Sequence, residues 1–428
     1  MGEQRKGGEA DERRLITLVV VLTFGMNMVA RGVSETFAVF LLPVQGSLGV
    51  TRSEMTGVYS VYMLVHGLGA PIMGLIFDRL GARASYGLGV LAMGSGVLGA
   101  GYVTALWQYY LCIGVLVGIG VAALGMVSAS GLLSRWFTRR LGSVMGLAYA
   151  ALGAGVLVLT PLTQVMLQRH DWRTVYIMLG AGILALLLPV VVLPLGRMSR
   201  GSATWNRGRA AAPGGRSGPG IAQAFRSQAF WGLFFVFFFT GFAAYAVLPQ
   251  SVAYLIENGI EPLQAATAFG LTGMLSVVGM MSIGWLADRF GRRLMVTVSY
   301  LFSLTGITCI ILIAWMPSLV LVYGFILFFG ISQGARGPIV STLVALLFPG
   351  GGIGSIYGVI TTGLGLGAAL GAWLSGLLKE MTDAYLLSFS IAWAASFAGM
   401  LQFWLVPALA GAATGSEGGR DPVPGKGG

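Results

Sequence analysis

Three formally charged residues stand inside long apolar stretches of the sequence: Arg31, Glu35 and Arg336. An arginine at the centre of a bilayer costs roughly 2.5 to 3.5 kcal/mol, so these side chains must face protein or water rather than lipid. Arg31 and Glu35 are four residues apart, which puts them on one helix face where they can neutralise each other. Arg336 has no acidic neighbour in the sequence, and a guanidinium can hold a carboxylate at two points. Arg336 is therefore our first candidate for binding an anion, and Arg31 is the second.

A histidine and several uncharged polar side chains stand in the same kind of stretch. His66 follows Tyr59 and Tyr62 at helical spacing, and it serves either as a hydrogen-bonded packing residue or as a proton carrier. Glu35 and His66 are the candidate proton-coupling residues, because no other group expected at mid-membrane titrates in a useful range. Further polar residues, each of which could serve packing instead, are candidate donors to a substrate: Asn27, Tyr149, Tyr245, Gln333 and Tyr357. The sequence contains no catalytic or metal-binding constellation, so we expect no enzyme, no cofactor and no metal.

The overall composition indicates whether the protein around these residues lies in water or in a membrane. Of the 428 residues, 56% are hydrophobic and 10% are charged, and the mean hydropathy of +0.82 excludes a water-soluble globule. The 67 glycines follow no collagen period, so we expect them at close contacts between helices. The two cysteines, Cys112 and Cys309, lie in apolar runs and can build neither a disulfide framework nor a zinc site.

Apolar runs long enough to cross about 30 Å of hydrocarbon recur along the whole chain. These runs cover residues 15–43, 53–77, 84–104, 106–133, 141–168, 172–196, 228–256, 265–287, 294–316, 318–347, 353–378 and 384–408. They predict helices, because period-2 alternation is absent and each run is longer than a barrel strand. The predicted fold class is an all-α membrane protein with twelve transmembrane helices. The predicted segments are a cytoplasmic N-terminus (1–14), an N-terminal bundle (15–196), a cytoplasmic linker (197–227), a C-terminal bundle (228–408) and a disordered cytoplasmic tail (409–428).

The basic residues predict the orientation of these spans. Most of the 26 lysines and arginines fall in the termini, the linker and the even-numbered loops, whereas Arg52, Arg169, Arg173 and Lys379 fall in odd-numbered loops. The positive-inside rule then predicts a multi-pass protein of the cell's inner (plasma) membrane, with both termini in the cytoplasm. The net charge of +11 reflects this topology, so we expect the basic residues to contact the lipid bilayer and not nucleic acid. We also expect the protein to be a monomer.

A short charged pattern occurs once in each half of the chain. Gly74-Leu-Ile-Phe-Asp78-Arg79-Leu-Gly81-Ala-Arg83 follows the second run, and Gly284-Trp-Leu-Ala-Asp288-Arg289-Phe-Gly291-Arg292-Arg293 follows the eighth. This repeat resembles the signature loop of the major facilitator superfamily, whose fold consists of two pseudo-symmetric six-helix bundles. We interpret the loops as a gate in which Asp78 lies near residues 354–356 and Asp288 lies near Gly142, at the positive N-termini of helices from the opposite half. The remaining candidate gating residues are Arg79, Arg83, Arg135, Arg289 and Arg292. The alternative interpretation is that these are topology charges and tight-turn glycines.

Other motifs indicate which family within the superfamily the sequence resembles. Phe37-Ala-Val-Phe-Leu-Leu-Pro43, Arg135-Trp-Phe-Thr-Arg139-Arg140 and Asp171-Trp172-Arg173 are similar to segments of the monocarboxylate transporter family, and the last also resembles the oxalate:formate antiporters. This resemblance implies a secondary active transporter of small organic anions, specifically monocarboxylates, that works by alternating access as a proton symporter or by exchange. It also implies that the first, fourth, seventh and tenth helices line the cavity, so that Arg31 and Arg336 approach the substrate from opposite halves.

The sequence also departs from the proton-coupled members of this family. Ser276 and Met280 occupy the positions where those members carry an aspartate and an arginine, and Glu35 stands where they usually carry a lysine. Two alternatives to an anion transporter therefore stay open. One keeps the fold and exports hydrophobic or cationic compounds, and the other is a transporter-like membrane sensor that binds a ligand without moving it.

Overall fold

A computed structural model describes residues 2–137, 141–192, 221–348 and 353–409 of the chain. Within these ranges nearly every residue is helical, and the helices occupy the predicted apolar runs, which confirms the all-α fold class. Apart from the one-turn helix Ile221–Ala224, and with an interrupted helix counted once, they are numbered in chain order α1 (Gly2–Glu35 and Phe37–Leu48), α2 (Arg52–Leu80), α3 (Ala82–Ala100), α4 (Leu106–Tyr109, Tyr110–Val117, Gly118–Leu124 and Met126–Trp136), α5 (Leu141–Leu167), α6 (Trp172–Val192), α7 (Gln228–Glu257), α8 (Pro262–Phe290), α9 (Arg292–Leu312), α10 (Leu319–Leu347), α11 (Ile353–Thr382) and α12 (Leu386–Leu405). The predicted linker up to residue 220 and the predicted tail beyond residue 409 lie outside the described residues.

Ten helices in the described ranges are long and apolar enough to cross a membrane. The apolar part of α6 is shorter, at Trp172–Leu187. Helix α3 fills the position of the third predicted span but is rich in glycine, alanine and serine, which lowers its hydropathy. Both helices lie where the sequence predicted a span, so all the predicted spans have a helix.

The repeated loop has the same backbone role in both halves. Gly81 ends α2 with a φ of 84°, and Gly291 ends α8 with a φ of 92°. Each donates its N–H to the carbonyl four residues back, at 3.0 Å and 3.1 Å, and then begins the next helix. Because L-residues with a side chain rarely adopt such φ values, glycine is required at both turns. The glycines of the repeated pattern thus form tight helix-to-helix turns, as the alternative interpretation of the repeat expected.

In the described ranges, α1 and α4 are interrupted inside their apolar runs. Helix α1 breaks at Thr36, whose hydroxyl donates to the carbonyl of Val33 at 2.6 Å, directly after Glu35. Helix α4 contains a π-helical stretch at Tyr110–Val117 and a break at Gly125, whose backbone is extended. Interruptions of this kind are frequent at functional sites. The break in α1 therefore marks the neighbourhood of Glu35 as a place to search for function.

The two halves use the same internal packing and meet along two seams. Helix α1 packs on α5 and α2 on α4 in the first half, and α7 packs on α11 and α8 on α10 in the second. Across the halves, α2 packs along α11 and α5 along α8. Small residues permit this approach, because a Cβ added at Gly153 would lie 2.5 Å from the carbonyl oxygen of Gly273. The halves are therefore in backbone contact at these seams.

Candidate functional site

Helix α1 carries an ion pair next to its interruption. The Nη2 atom of Arg31 lies 2.9 Å from Oε1 of Glu35, as their spacing of four residues allowed. The Glu35 side chain is 4% exposed, whereas that of Arg31 is 24% exposed. The carboxylate is thus shielded, and the guanidinium keeps one accessible side.

Tyrosines from both halves complete this site. Tyr59 of α2 donates its hydroxyl to Oε1 of Glu35 at 3.0 Å, and Arg31 donates to the hydroxyl of Tyr245 on α7 at 2.7 Å. The ring of Tyr59 lies 5.1 Å from that of Tyr62 and 6.0 Å from that of Tyr245. Because Tyr245 belongs to the second half and the others to the first, these contacts bridge the two halves.

His66 extends the same group along α2. Its ring stacks on that of Tyr62 with 6.1 Å between the centroids and 9° between the planes, and its side chain is half-buried. We call the residues Arg31, Glu35, Tyr59, Tyr62, His66 and Tyr245 the Arg31 cluster. The sequence predicted the pair of Arg31 and Glu35, with His66 and Tyr245 as further candidates, and the structure brings all four into one cluster.

A small cavity adjoins the cluster inside the first half. Ser34, Thr36, Tyr59 and Tyr62 contribute the polar part of its lining, and its volume is about 10 Å³. That is about the space of one water molecule and far less than a drug-sized ligand needs. A substrate that reaches Glu35 must therefore bind on the exposed side of Arg31 or move the surrounding helices.

Arg336 lies in a second polar group, within the C-terminal half. Its Nη2 atom donates to the carbonyl of Ser299 at 3.3 Å and to the hydroxyl of Ser303, both on α9. Its guanidinium carbon lies 4.0 Å above the ring of Tyr300, whose hydroxyl is 3.0 Å from that of Thr240 on α7. The residue is 2% exposed, and none of the ion pairs found in the described ranges includes it. Arg336 is thus a buried cation held by hydroxyls, a carbonyl and an aromatic face.

The structure does not bring Arg336 to the Arg31 cluster. The serines and the tyrosine that hold Arg336 belong to the second half, whereas the partners of Arg31 include Glu35 of the first half and Tyr245 of the second. Arg31 reaches across to the second half, but that both arginines meet the substrate from opposite halves stays a prediction. For Arg336 the substrate role stays a prediction.

The remaining candidates are scattered. Asn27 is fully buried and donates to the carbonyl of Thr23 at 2.8 Å, while its Oδ1 has no hydrogen-bond partner in the described part of the chain. Tyr149, Gln333 and Tyr357 are half-buried on α5, α10 and α11, and the ring of Tyr357 lies 6.2 Å from that of Phe237. Their roles as substrate donors stay predictions.

The structure describes the side chains of some of the predicted gating residues. The side chains of Asp78 and Asp288 lie outside the described residues, and so do those of residues 142, 354 and 355, which they were predicted to approach, whereas Ile356 is described and buried. Arg135 lies 4.6 Å above the ring of Phe77, and Arg289 lies 5.7 Å above that of Phe290. Arg79 and Arg83 are exposed, and Arg292 is half-buried. The gate at this end of the bundle stays a prediction.

A charged group that was not predicted from the sequence lies at the opposite end of the bundle. Arg52 of α2 lies 2.5 Å from Oε1 of Glu257 on α7, and Lys379 of α11 lies 3.6 Å from its Oε2. Glu380 of α11 accepts hydrogen bonds from the hydroxyl and the N–H of Ser53, at 2.5 Å and 3.3 Å. We call Arg52, Ser53, Glu257, Lys379 and Glu380 the outer cluster, because the orientation rule predicts that this end faces outside.

Two residues between α11 and α12 support the outer cluster. The Tyr385 hydroxyl donates to Oε1 of Glu257 at 3.1 Å, and its ring lies 4.9 Å from the Lys379 ammonium. Lys379 also donates to the carboxylate of Asp383 at 2.9 Å, and this hydrogen bond, with the positive charge, lowers the pKa of Asp383. Sequence reasoning treated Arg52 and Lys379 as topology charges. The sequence did contain a signal for this cluster. Basic and acidic residues from both halves lie at the ends of spans that the topology puts on the same side of the membrane.

Two helical halves with a polar site at their junction are the architecture of a secondary transporter. The Major Facilitator Superfamily matches this sequence over residues 18–372. The chain belongs to that superfamily, which confirms the resemblance of the repeated loops.

Individual relatives show which members of the superfamily this chain resembles. The chain is 27% identical over 390 residues to monocarboxylate transporter 13 of Bos taurus, covering 89% of this chain and 87% of the relative. It is 24% identical over 387 residues to the uncharacterized MFS-type transporter YcxA of Bacillus subtilis (strain 168), covering 87% and 91%. The xylose transporter XylE of E. coli, solved in a partially occluded inward-open conformation, superposes with a TM-score of 0.69 at 14% identity, covering 92% of this chain and 98% of that one. The chain is therefore a multi-pass membrane transporter with relatives among the monocarboxylate transporters.

Proposed function

We propose that this protein is a secondary active transporter of small organic anions, specifically monocarboxylates, that works by alternating access. The observation that carries the proposal is the position of Arg31, whose guanidinium bridges the two halves and keeps 24% of its side chain exposed. An anion that leaves water loses much hydration energy, and a fixed positive charge with directed donors offsets that loss. The relatives named as monocarboxylate transporters support the same class of substrate.

Arg31 and Arg336 are the proposed anion-binding cations. Arg31 is the first point of contact, because it is accessible at the junction of the halves. Arg336 is the second, because it is a buried cation without an acidic partner in the described ranges, and a substrate carboxylate would supply the missing charge. The proposed donors around them are Asn27, Tyr149, Tyr245, Gln333 and Tyr357.

Glu35 is the proposed proton-coupling residue, with His66 as its alternative. The pair of Arg31 and ionised Glu35 has no net charge, so a bound anion would leave the shielded site with one uncompensated negative charge. A proton on Glu35 restores neutrality and frees the guanidinium for the substrate. If Glu35 stays ionised, one anion can enter only in place of another, which is exchange.

The proposed setting follows the basic residues of the sequence. Both termini, the linker at 197–227 and the tail at 409–428 lie in the cytoplasm, and the protein is a monomer in the cell's inner (plasma) membrane. This orientation places the outer cluster outside and the repeated loops inside. Insertion of an epitope tag after residue 1 or residue 428, probed on intact cells, tests it: labelling of either tag without permeabilisation contradicts the proposal.

The function is tested on purified protein by carboxylate binding and by uptake into liposomes. Arg31→Gln should weaken carboxylate binding by about tenfold or more, because a hydrogen bond to a charged group contributes roughly 1.5 to 3 kcal/mol. Arg31→Lys keeps the charge but loses the planar fork, and it should fall between the wild type and Arg31→Gln. Arg173→Gln, which removes a half-buried arginine that donates to the hydroxyl of Ser47, is the matched control.

The outcomes separate the proposal from its rivals. Normal carboxylate binding by a well-folded Arg31→Gln protein contradicts an anion site at Arg31. Binding of hydrophobic or cationic compounds in place of carboxylates would favour an exporter, and carboxylate binding without flux would favour a sensor.

A further inference from the structure

The first turn of α2 is held from the other half of the molecule. Arg52 and Ser53 belong to the first half, and their partners Glu257 and Glu380 end α7 and α11 of the second. The contacts are short, at 2.5 Å from Arg52 to Glu257 and 2.5 Å from the Ser53 hydroxyl to Glu380. Two carboxylates of one half thus bind two neighbouring residues of the other.

Helix geometry explains why this turn is a good partner for carboxylates. The first N–H groups of a helix have no partner within it, and the N-terminus carries a partial positive charge. Glu54 satisfies one such group from its own helix by accepting from the N–H of Thr51 at 2.8 Å. Glu380 satisfies another, that of Ser53, from across the seam. The start of α2 is therefore capped by its own half and by the opposite half together.

Burial distinguishes the ion pair in this group from an ordinary surface pair. The Arg52 side chain is 8% exposed and that of Glu257 is 32% exposed. Glu257 also accepts from Tyr385 and lies close to Lys379, so its carboxylate has three donors around it. A pair shielded in this way is screened less by salt than an exposed one. It can therefore bias the relative position of the two halves.

The seam is closed directly beneath these contacts. Thr56, one turn further along α2, is 0% exposed, and a Cβ at Gly376 of α11 would collide with its hydroxyl. Any path from this end of the bundle into the space between α2 and α11 must separate Thr56 from Gly376. The outer cluster lies at the mouth of that path.

We propose that the outer cluster is a gate: Glu257 and Glu380 hold the first turn of α2 and keep the two halves closed at this end. Release of Arg52 and Ser53 lets α2 separate from α11 and exposes Thr56 to the medium. The inference goes beyond the proposed substrate and coupling, because it concerns the equilibrium between two conformations of the empty protein.

Accessibility of a cysteine at position 56 measures the gate without any substrate. Thr56→Cys is made in a background with Cys112→Ala and Cys309→Ala, and a membrane-impermeant methanethiosulfonate is added to the predicted outer side. Loss of one contact, in Glu257→Gln or Glu380→Gln, should raise the labelling rate about fivefold, the ratio that corresponds to about 1 kcal/mol. Glu54→Gln is the matched control, because it removes a carboxylate of the same turn that binds only within its own half in the structure.

A second pair of variants keeps the test decisive if the cysteine at position 56 disturbs the fold. Ser53→Cys with Glu380→Cys, made in the cysteine-free background with Thr56 unchanged, should form a disulfide under mild oxidation, and Glu257→Gln should slow its formation. The proposal is overturned if the two glutamate variants label like the parent, if Glu54→Gln labels as fast as they do, or if the disulfide does not form. Because no carboxylate is present, failure of the proposed function leaves these results unchanged.

Discussion

Arg336 combines full burial with the absence of an acidic partner in the described ranges. Its positive charge is met by the Ser303 hydroxyl, the Ser299 carbonyl and the face of Tyr300, which are weaker partners than a carboxylate. A cation–π contact away from water contributes about 2 kcal/mol, which offsets part of the cost of burial. The residue thus has a structural role in this conformation, and its missing counter-charge is what a substrate anion would provide.

Substitution of Arg336 separates these two roles. If the substrate supplies the counter-charge, Arg336→Gln should reduce carboxylate affinity by about 3 kcal/mol or more, and Arg336→Lys should reduce it less. If the role is structural alone, Arg336→Gln should lower the melting temperature and leave affinity intact in the protein that remains folded. Isothermal binding of a carboxylate and thermal unfolding, measured on the same preparations, decide between them. Tyr300→Leu, which removes the aromatic face, is the control for the packing contribution.

Glu35 and His66 carry the second prediction at this scale. If uptake is driven by a proton gradient, Glu35→Gln combined with His66→Gln should abolish that drive while exchange of anions across the membrane continues. The reason is that charge neutrality around Arg31 then no longer depends on a proton. Uptake into liposomes with and without a pH gradient is the measurement, with each single variant alongside. Undiminished proton-driven uptake in the double variant contradicts the coupling role.

The chemistry of single residues was predictable from the sequence, but their partners were not. Arg31, Glu35 and Arg336 stand out because a charge in an apolar run needs a compensating group, whatever the fold. The spacing of four residues also predicted the contact between Arg31 and Glu35. That Arg31 would reach Tyr245, and Arg336 would reach Ser303, depends on how each helix is rotated against its neighbours. The hydropathy of an apolar run does not determine that rotation.

The positions of the helices were predictable from the length and apolarity of the runs, whereas the interruptions within the helices were not. Every predicted run is helical because a bilayer leaves backbone groups no other partners. The break at Thr36 and the π-helical stretch at Tyr110–Val117 change the hydrogen-bond register by a residue, which leaves the hydropathy profile unaltered. The outer cluster was missed for a related reason, since residues at the ends of spans were assigned to topology alone.

Helix α5 offers a prediction about the seam between the halves. A Cβ at Gly153 would lie 2.5 Å from the carbonyl oxygen of Gly273 and 3.1 Å from Cα of Met274, both on α8. Gly153→Ala should therefore force the backbones apart and lower both the melting temperature and the transport rate. A Cβ at Gly146, two turns away on α5, would meet no atom within 4 Å in the described structure, so Gly146→Ala is the matched control. That control should leave both quantities unchanged or improve stability slightly, since alanine favours a helix by up to about 1 kcal/mol over glycine. Equal effects of the two substitutions would contradict a tight seam at Gly153.

At the scale of the whole molecule, the repeat in the sequence corresponds to a repeat in packing. The pairs α1–α5 and α7–α11, and α2–α4 and α8–α10, are equivalent contacts in the two halves. The polar groups do not follow this symmetry. Arg31 and Glu35 belong to the first half, the buried Arg336 to the second, and the outer cluster joins the α2–α11 seam through Ser53 and Glu380. Two similar halves therefore carry different chemistry, which a rocking motion between them would present to each side in turn.

The two ends of the molecule should act against each other. The repeated loop predicts that Asp78 stabilises the conformation closed at the inner end, whereas the outer cluster, as proposed, stabilises the conformation closed at the outer end. Asp78→Asn should then slow transport more than it weakens binding. In the Thr56→Cys background it should also lower labelling at position 56, because the outer end stays closed for longer. Glu257→Gln should raise that labelling.

The double variant is the decisive case. If both groups bias one equilibrium between two global conformations, their free-energy effects add with opposite signs. Asp78→Asn with Glu257→Gln should therefore label close to the parental rate and recover part of the lost transport. Two gates that open independently would give a different result, because Asp78→Asn would then leave labelling at position 56 unchanged, both alone and together with Glu257→Gln. Labelling rates of the four proteins, the parent, two singles and the double, measure this coupling directly.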